Sequence, residues 1–157
     1  MKHNKYITSV GYNKLQEKLV KLRQDYKELM LEMQEVKDNC LSSDDTSELN
    51  QYRMTIDSLS DGIEKTRELL ETSIVVDTSK LTTTKAIFGT LVTVENLDTG
   101  EESVYRLVSS FESDPKEGQL SIKSPLGMSI LGCSVGDIVE LNSPRGLEEY
   151  EIVTIDR

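Results

Sequence analysis

The apolar residues of the first half return in alternating steps of four and three: Leu15, Leu19, Leu22, Tyr26, Leu29, Met33, Val36 and Cys40. That spacing is the seam of a coiled coil, and no proline interrupts it. A second series, Leu49, Tyr52, Ile56, Leu59, Ile63, Thr66 and Leu70, keeps the alternation and weakens only at Thr66. Gly62, beside this second seam, lowers helix propensity by about 1 kcal/mol relative to alanine. The pattern predicts helices over about 10–40 and 46–72, joined by a tip at 41–48. Ser42, Ser43, Asp44, Asp45, Thr46 and Ser47 suit that tip, because their short polar side chains leave one helix readily and cap the next. So short a connection forces the helices antiparallel. At 1.5 Å per residue, Leu15 to Cys40 spans roughly 38 Å. With one apolar stripe per helix, the hairpin either stands free as a probe, packs on the second domain or pairs with another chain. Periodicity alone leaves these open.

Past Leu70 the helical period is lost. The stretch ETSIVVDTSKLTTTKA reads as a linker with a short extended piece at Ile74 to Val76. GTLVTVEN and ESVYRLVSS alternate as half-buried strands around a turn at Asp98 to Gly100, and GQLSIK, DIVEL and EYEIVTI are further strands. Between the third and fourth strands, Pro125 and Gly127 break the chain before a single helical turn at Met128 to Leu131. The fold class is α+β: a coiled-coil hairpin at 1–77, then an antiparallel sheet domain with one short helix at 78–157.

The formal charge of -10 over 157 residues argues against a protein that coats nucleic acid or an anionic membrane. A protein partner fits better. Cys40 and Cys133 are far apart and have no zinc or disulfide spacing around them. The first ten residues lack the apolar run of a signal peptide, and no segment approaches the ~20 apolar residues of a membrane span. A cytoplasmic protein is expected. His3 stands alone, and the chain contains no nucleophilic triad or phosphate loop.

Four stretches carry a specific resemblance: GYNKLQEKLVKLR, IVVD, IFGTLVTVENLDTGEESVYRLV and SPLGMSILGCSVGDIVEL. They are similar to the Gre family of bacterial transcription elongation factors, and the similarity runs over nearly the whole chain. It implies an N-terminal coiled coil and a C-terminal domain of FKBP-like fold without isomerase activity. The lack of Trp and the scarcity of Phe in that domain, only Phe88 and Phe111, agree. The resemblance further implies docking on the rim of the polymerase secondary channel and insertion of the hairpin into it. There, tip carboxylates help hold a Mg²⁺ shared with the polymerase active site, which itself hydrolyses backtracked RNA. No cofactor of the protein's own, a monomer, the nascent RNA 3′ end as a neighbour, at most weak DNA binding and no membrane contact complete the expectation.

Family tips commonly read Gly-Asp-Leu-Ser-Glu-Asn-Ala-Glu-Tyr, with the first Asp and first Glu directed at the metal. Aligned without gaps, Ser42 takes the Asp position, Asp45 the Glu position and Glu48 the second Glu, while Leu49 replaces Tyr. One metal-directed carboxylate is therefore missing unless Asp44 serves instead, or unless Asp45 and Glu48 form a displaced pair. By resemblance the assisting carboxylates are Asp44, Asp45 and Glu48, with Asp44 and Asp45 as metal ligands. Lys37 and Arg53 are the RNA-proximal cations, although Asp38 and Asp44 stand where relatives often carry basic residues. Ser124, Pro125, Leu126, Gly127 and Met128 match the family's docking loop, with Ile130 beside it adding apolar surface. The first reading is a cleavage-stimulating elongation factor; the second is a cleavage-deficient channel occupant that inhibits polymerase; the third is an unrelated coiled-coil adaptor, which the docking loop disfavours.

Overall fold

A computed structural model describes residues 5–39 and 46–157. The elements run β1 (Lys5–Thr8), α1 (Ser9–Asn39), α2 (Thr46–Thr72), β2 (Ser73–Val76), β3 (Leu91–Asn96), β4 (Glu102–Val108), β5 (Gln119–Ser121), α3 (Pro125–Ile130), β6 (Ile138–Ser143) and β7 (Gly146–Asp156). Two compact units form. One is Tyr12–Ser73, and the other joins Met1–Gly11 to Ile74–Arg157. No helix among the described residues is long and apolar enough to cross a membrane.

In the helical unit the predicted seam is the buried stripe. Leu15, Leu19, Leu22, Tyr26, Leu29, Met33 and Val36 on α1 are half-buried, as are Leu49, Tyr52, Leu59, Ile63 and Leu70 on α2, while their neighbours are mostly exposed. Ile56, 8% exposed, and Thr66, 3% exposed, lie deepest. Thr66 weakens the apolar pattern without leaving an orphan polar group, since its hydroxyl donates to the Gly62 carbonyl at 2.7 Å, one turn back. A methyl on Gly62 would meet Leu22 Cδ1 at 3.6 Å, an ordinary contact, so the two helices face each other at this level.

The β unit holds a five-stranded sheet in the order β5-β4-β3-β7-β6. β3 is central because Val92 and Val94 alternate inward and are fully buried. Ile152 and Ile155 of β7 are both buried although three residues apart, a spacing that regular alternation would send to opposite faces. The register resolves this: Thr93 pairs with Thr154 but Val94 with Ile152, so Val153 is an extra residue, a β-bulge that restores both isoleucines to the core. The core is Ala86, Val92, Val94, Leu107, Ile130, Val139, Ile152 and Ile155.

The strand pairing and the division into units differ from the sequence-based expectation. The sheet is antiparallel except at one edge, where β4 and β5 pair parallel. A turn through Pro115–Glu117 re-aims the chain between them. The single cut after Asp77 is replaced by a division that returns the N-terminal residues to the β unit. Strand β1 pairs with β2 in a two-stranded sheet, and Ile7 is fully buried. A four-residue strand next to a long helix leaves too short an alternation to stand out in the sequence.

Candidate functional site

The short helix α3 is built from the SPLG sequence. Ser124 is its N-cap, and its hydroxyl accepts from the Gly127 N–H at 3.1 Å and donates to the Ser121 carbonyl at 2.6 Å. Pro125 fills the first helical turn, where its missing N–H costs nothing. Gly127 is needed for packing, since a Cβ there would lie 2.0 Å from the Ser121 carbonyl oxygen. The helix thus lies directly against the end of β5.

Its two sides differ. Gly127 is buried, Leu126 packs partly against the core, and Ile130 is 0% exposed within it. Ile130 is therefore no part of the outer apolar surface, contrary to the sequence-based expectation; it anchors α3 instead. Outward stand Pro125, Met128 at 59% exposed and Leu131 at 43%. Val135 is exposed further along the same loop. Leu131 was missed, yet its position three residues after Met128 is the helical signal that puts the two on one side. Cys133, next to it, donates to the Ser129 carbonyl at 3.3 Å. Burial and the Asp137 carboxylate push its thiol up, which keeps it protonated and poorly nucleophilic.

On the hairpin, Lys37 lies in the last turn of α1 and is exposed. Asp38 accepts from Gln34 Nε2 at 2.8 Å. Arg53 is exposed on α2, with Nη1 donating to Asn50 Oδ1 at 3.4 Å. Glu48 is exposed in the first turn of α2. Asp44, Asp45 and Ser42 lie outside the described residues. Among the described residues no group of three His, Cys, Asp or Glu side chains is placed to hold a metal.

A further cluster in the β unit went unnoticed in the sequence. The Thr8 N–H donates to both carboxylate oxygens of Glu112, at 3.1 and 3.3 Å, and the Thr8 hydroxyl donates to Glu112 Oε1 at 2.6 Å. The same hydroxyl accepts from the Gly11 N–H at 3.0 Å, which makes Thr8 the N-cap of α1. Burial pushes the Glu112 carboxyl up, against hydrogen bonds from Thr8 and Ser109 that pull it down. The only sequence signal for this cluster is Thr8 three residues before Gly11, a cap without its usual acidic partner at the third position. Nearby, Thr8, Ser9, Val10, Thr78, Arg106 and Gln119 line a cleft of about 150 Å³. That is well below the roughly 300–1,000 Å³ of small-molecule sites. Arg106 is already occupied there, its Nη1 donating to the Gly89 carbonyl at 2.7 Å.

Known proteins are similar in sequence to this chain over nearly its whole length. A family model described as Transcription elongation factor, GreA/GreB, C-term, matches residues 81–157. Transcription elongation factor GreA of Chloroherpeton thalassium is 36% identical over 159 aligned residues, covering 99% of this chain and 98% of the relative. The factor of the same name from Brucella canis is 35% identical over 153 residues, 95% of each. Among solved structures, GreA factor homolog 1 of Thermus thermophilus is 24% identical with a TM-score of 0.47, covering 99% of this chain and 100% of that one. Identity above one third, sustained nearly end to end in both partners, extends the family assignment from the β unit to the helices. The chain belongs to the GreA/GreB family of transcription elongation factors.

Proposed function

We propose that this protein docks on bacterial RNA polymerase at the rim of the secondary channel, inserts its hairpin and stimulates cleavage of backtracked RNA, releasing arrested complexes. The observation that carries this reading is the near end-to-end similarity to proteins named transcription elongation factor GreA, at 36% and 35% identity. The structure adds two supports. The 31 residues of α1 rise about 46 Å, long enough to reach into a channel. The outward side of α3, with Pro125, Met128 and Leu131, offers an apolar docking surface braced from below by Ile130. Of the matched loop, Pro125 and Met128 meet the partner, while Ser124, Leu126 and Gly127 shape the helix.

In this reading the protein has no hydrolytic site of its own and no resident cofactor. Asp44 and Asp45, with Glu48 beside them in sequence, would hold a Mg²⁺ shared with the polymerase active centre. Carboxylate oxygens suit that hard cation, and Glu48 stands exposed at a helix N-terminus, where a negative charge is favoured. When bound, the ion supplies an acidified water and neutralises charge at the phosphate. Lys37 and Arg53 attract the RNA 3′ end, and Asp38 opposes them. The protein works as a monomer in the cytoplasm, with DNA contact weak at most. Ser42 favours a second reading, a channel occupant that inhibits polymerase, because a serine stands where the family carries a metal-directed aspartate.

A backtracked elongation complex with the cognate polymerase and Mg²⁺ separates the two. The expected result is faster RNA shortening with the protein than with polymerase alone, and strong loss of that gain in Asp45→Ala and Asp44→Ala. No gain over polymerase alone, together with intact binding, would replace the cleavage factor by the inhibitor.

A further inference from the structure

We propose that Glu112 is a positioning residue for this activity: by clamping the first turn of α1 inside the β unit, it fixes where the tip-bearing helix begins. The inference rests on the function proposed above.

The clamp joins groups 104 positions apart in sequence. One carboxylate takes the Thr8 N–H and the Thr8 hydroxyl, and that hydroxyl also caps Gly11. Cap and clamp therefore share one oxygen, the Thr8 hydroxyl. Gly11 is part of the device. A methyl there would lie 1.9 Å from Glu112 Oε1, so the carboxylate approaches the helix as closely as it does only because position 11 has no side chain. The same loop grips β1 one step earlier, where the Ser109 hydroxyl donates to the Tyr6 carbonyl. The Glu112 N–H in turn donates to the Ser109 carbonyl at 3.0 Å. Ile7, between the two gripped residues, is fully buried. From Ser9 to Asn39, α1 runs as one helix without proline, so the clamped turn is continuous in the chain with the helix that leads to the tip.

Stability alone is a poor reason for an ionised group here. Burial outweighs the hydrogen bonds and raises the carboxyl above its ordinary value, so the charge is held against its own desolvation. What the side chain supplies is direction: one oxygen, Oε1, takes both the Thr8 N–H and the Thr8 hydroxyl.

The test uses the full chain with the cognate polymerase in backtracked complexes and compares Glu112→Ala, Gly11→Ala and Glu112→Gln with the parent. Four quantities are read: polymerase Kd, maximal cleavage rate, melting temperature, and the yield of crosslink to the RNA 3′ end from a photo-reactive residue in place of Ser43. Glu112→Ala and Gly11→Ala are expected to bind within about twofold of the parent while cleavage rate and crosslink yield fall about tenfold or more, as misplacement does. Glu112→Gln, which keeps an acceptor for Thr8, recovers most of both. The inference is overturned if Glu112→Ala and Gly11→Ala retain the parent's rate and crosslink, or if their losses merely follow Kd or the fraction unfolded. If the parent itself cleaves nothing, the cleavage reading fails on its own, and the crosslink yields still decide the clamp.

Discussion

In the helical unit only Ile56 and Thr66, among the described residues, are nearly closed to water, and the rest of the seam is half-exposed. The β unit instead gathers eight buried apolar residues into one cluster, with α3 pinned to it through Ile130. The hairpin spreads its stability thinly along two stripes, so no single seam residue carries much. The β unit concentrates stability, and a surface built on its core inherits that rigidity. On the function proposed above this division is useful, because the proposed docking residues stand on a helix braced by the core.

The largest test of this contrast pairs two truncations of similar chemistry. Ile152→Ala removes a fully buried side chain from the β core and is expected to cost about 2–5 kcal/mol. Leu22→Ala, at a half-buried seam position opposite Gly62, should cost about half as much, because water already reaches part of the side chain. Urea titration followed by circular dichroism, with hydrogen exchange to assign the loss to a unit, measures both. Equal costs would break the comparison and make the seam a true core.

A smaller effect separates bracing from docking within α3. Gly127→Ala places a methyl against the Ser121 carbonyl and should destabilise the β unit by about 1–3 kcal/mol. Met128→Ser, on the exposed side, should change stability by less than about 0.5 kcal/mol yet weaken polymerase binding. Thermal melts beside a binding titration read the two apart. If Met128→Ser leaves the affinity unchanged, the outward side of α3 is not the docking surface.

Much of this architecture was legible because it is periodic. The alternating fours and threes gave the seam residue by residue, and helix bounds of 10–40 and 46–72 compare with Ser9–Asn39 and Thr46–Thr72. The strands followed from alternation and turn residues. What escaped notice depends on contacts distant in sequence. Nothing near Lys5–Thr8 signals a strand whose partner is β2, and nothing near Glu112 signals Thr8 as its partner. The inward turn of Ile130 escaped because a six-residue helix is too short for its apolar period to declare a face. The parallel β4–β5 edge escaped because strand direction is set by the connection and is not written in the alternation. At the tip, the carboxylates were legible as residue types, but their chemistry rests on the family resemblance and on the polymerase assay.

The smallest effect asks whether ionisation in the β unit opposes its stability, as a charge half-hidden from water should. The folded-state pKa of Glu112 is raised, so between its unfolded value and that raised value the native state holds more proton than the unfolded chain. Stability from this group is therefore fully present below the unfolded pKa and is lost as pH rises through the folded one. The stability of the parent minus that of Glu112→Gln should fall as pH rises from about 4, then level off once the carboxyl is ionised in both states. Subtracting the Gln variant cancels the remaining carboxylates, which titrate in both proteins. Urea titrations at closely spaced pH values from acid to neutral supply the curve. A difference that rises over this range would mean that the Thr8 and Ser109 hydrogen bonds win over burial, and that the clamp is a source of stability in its ionised form.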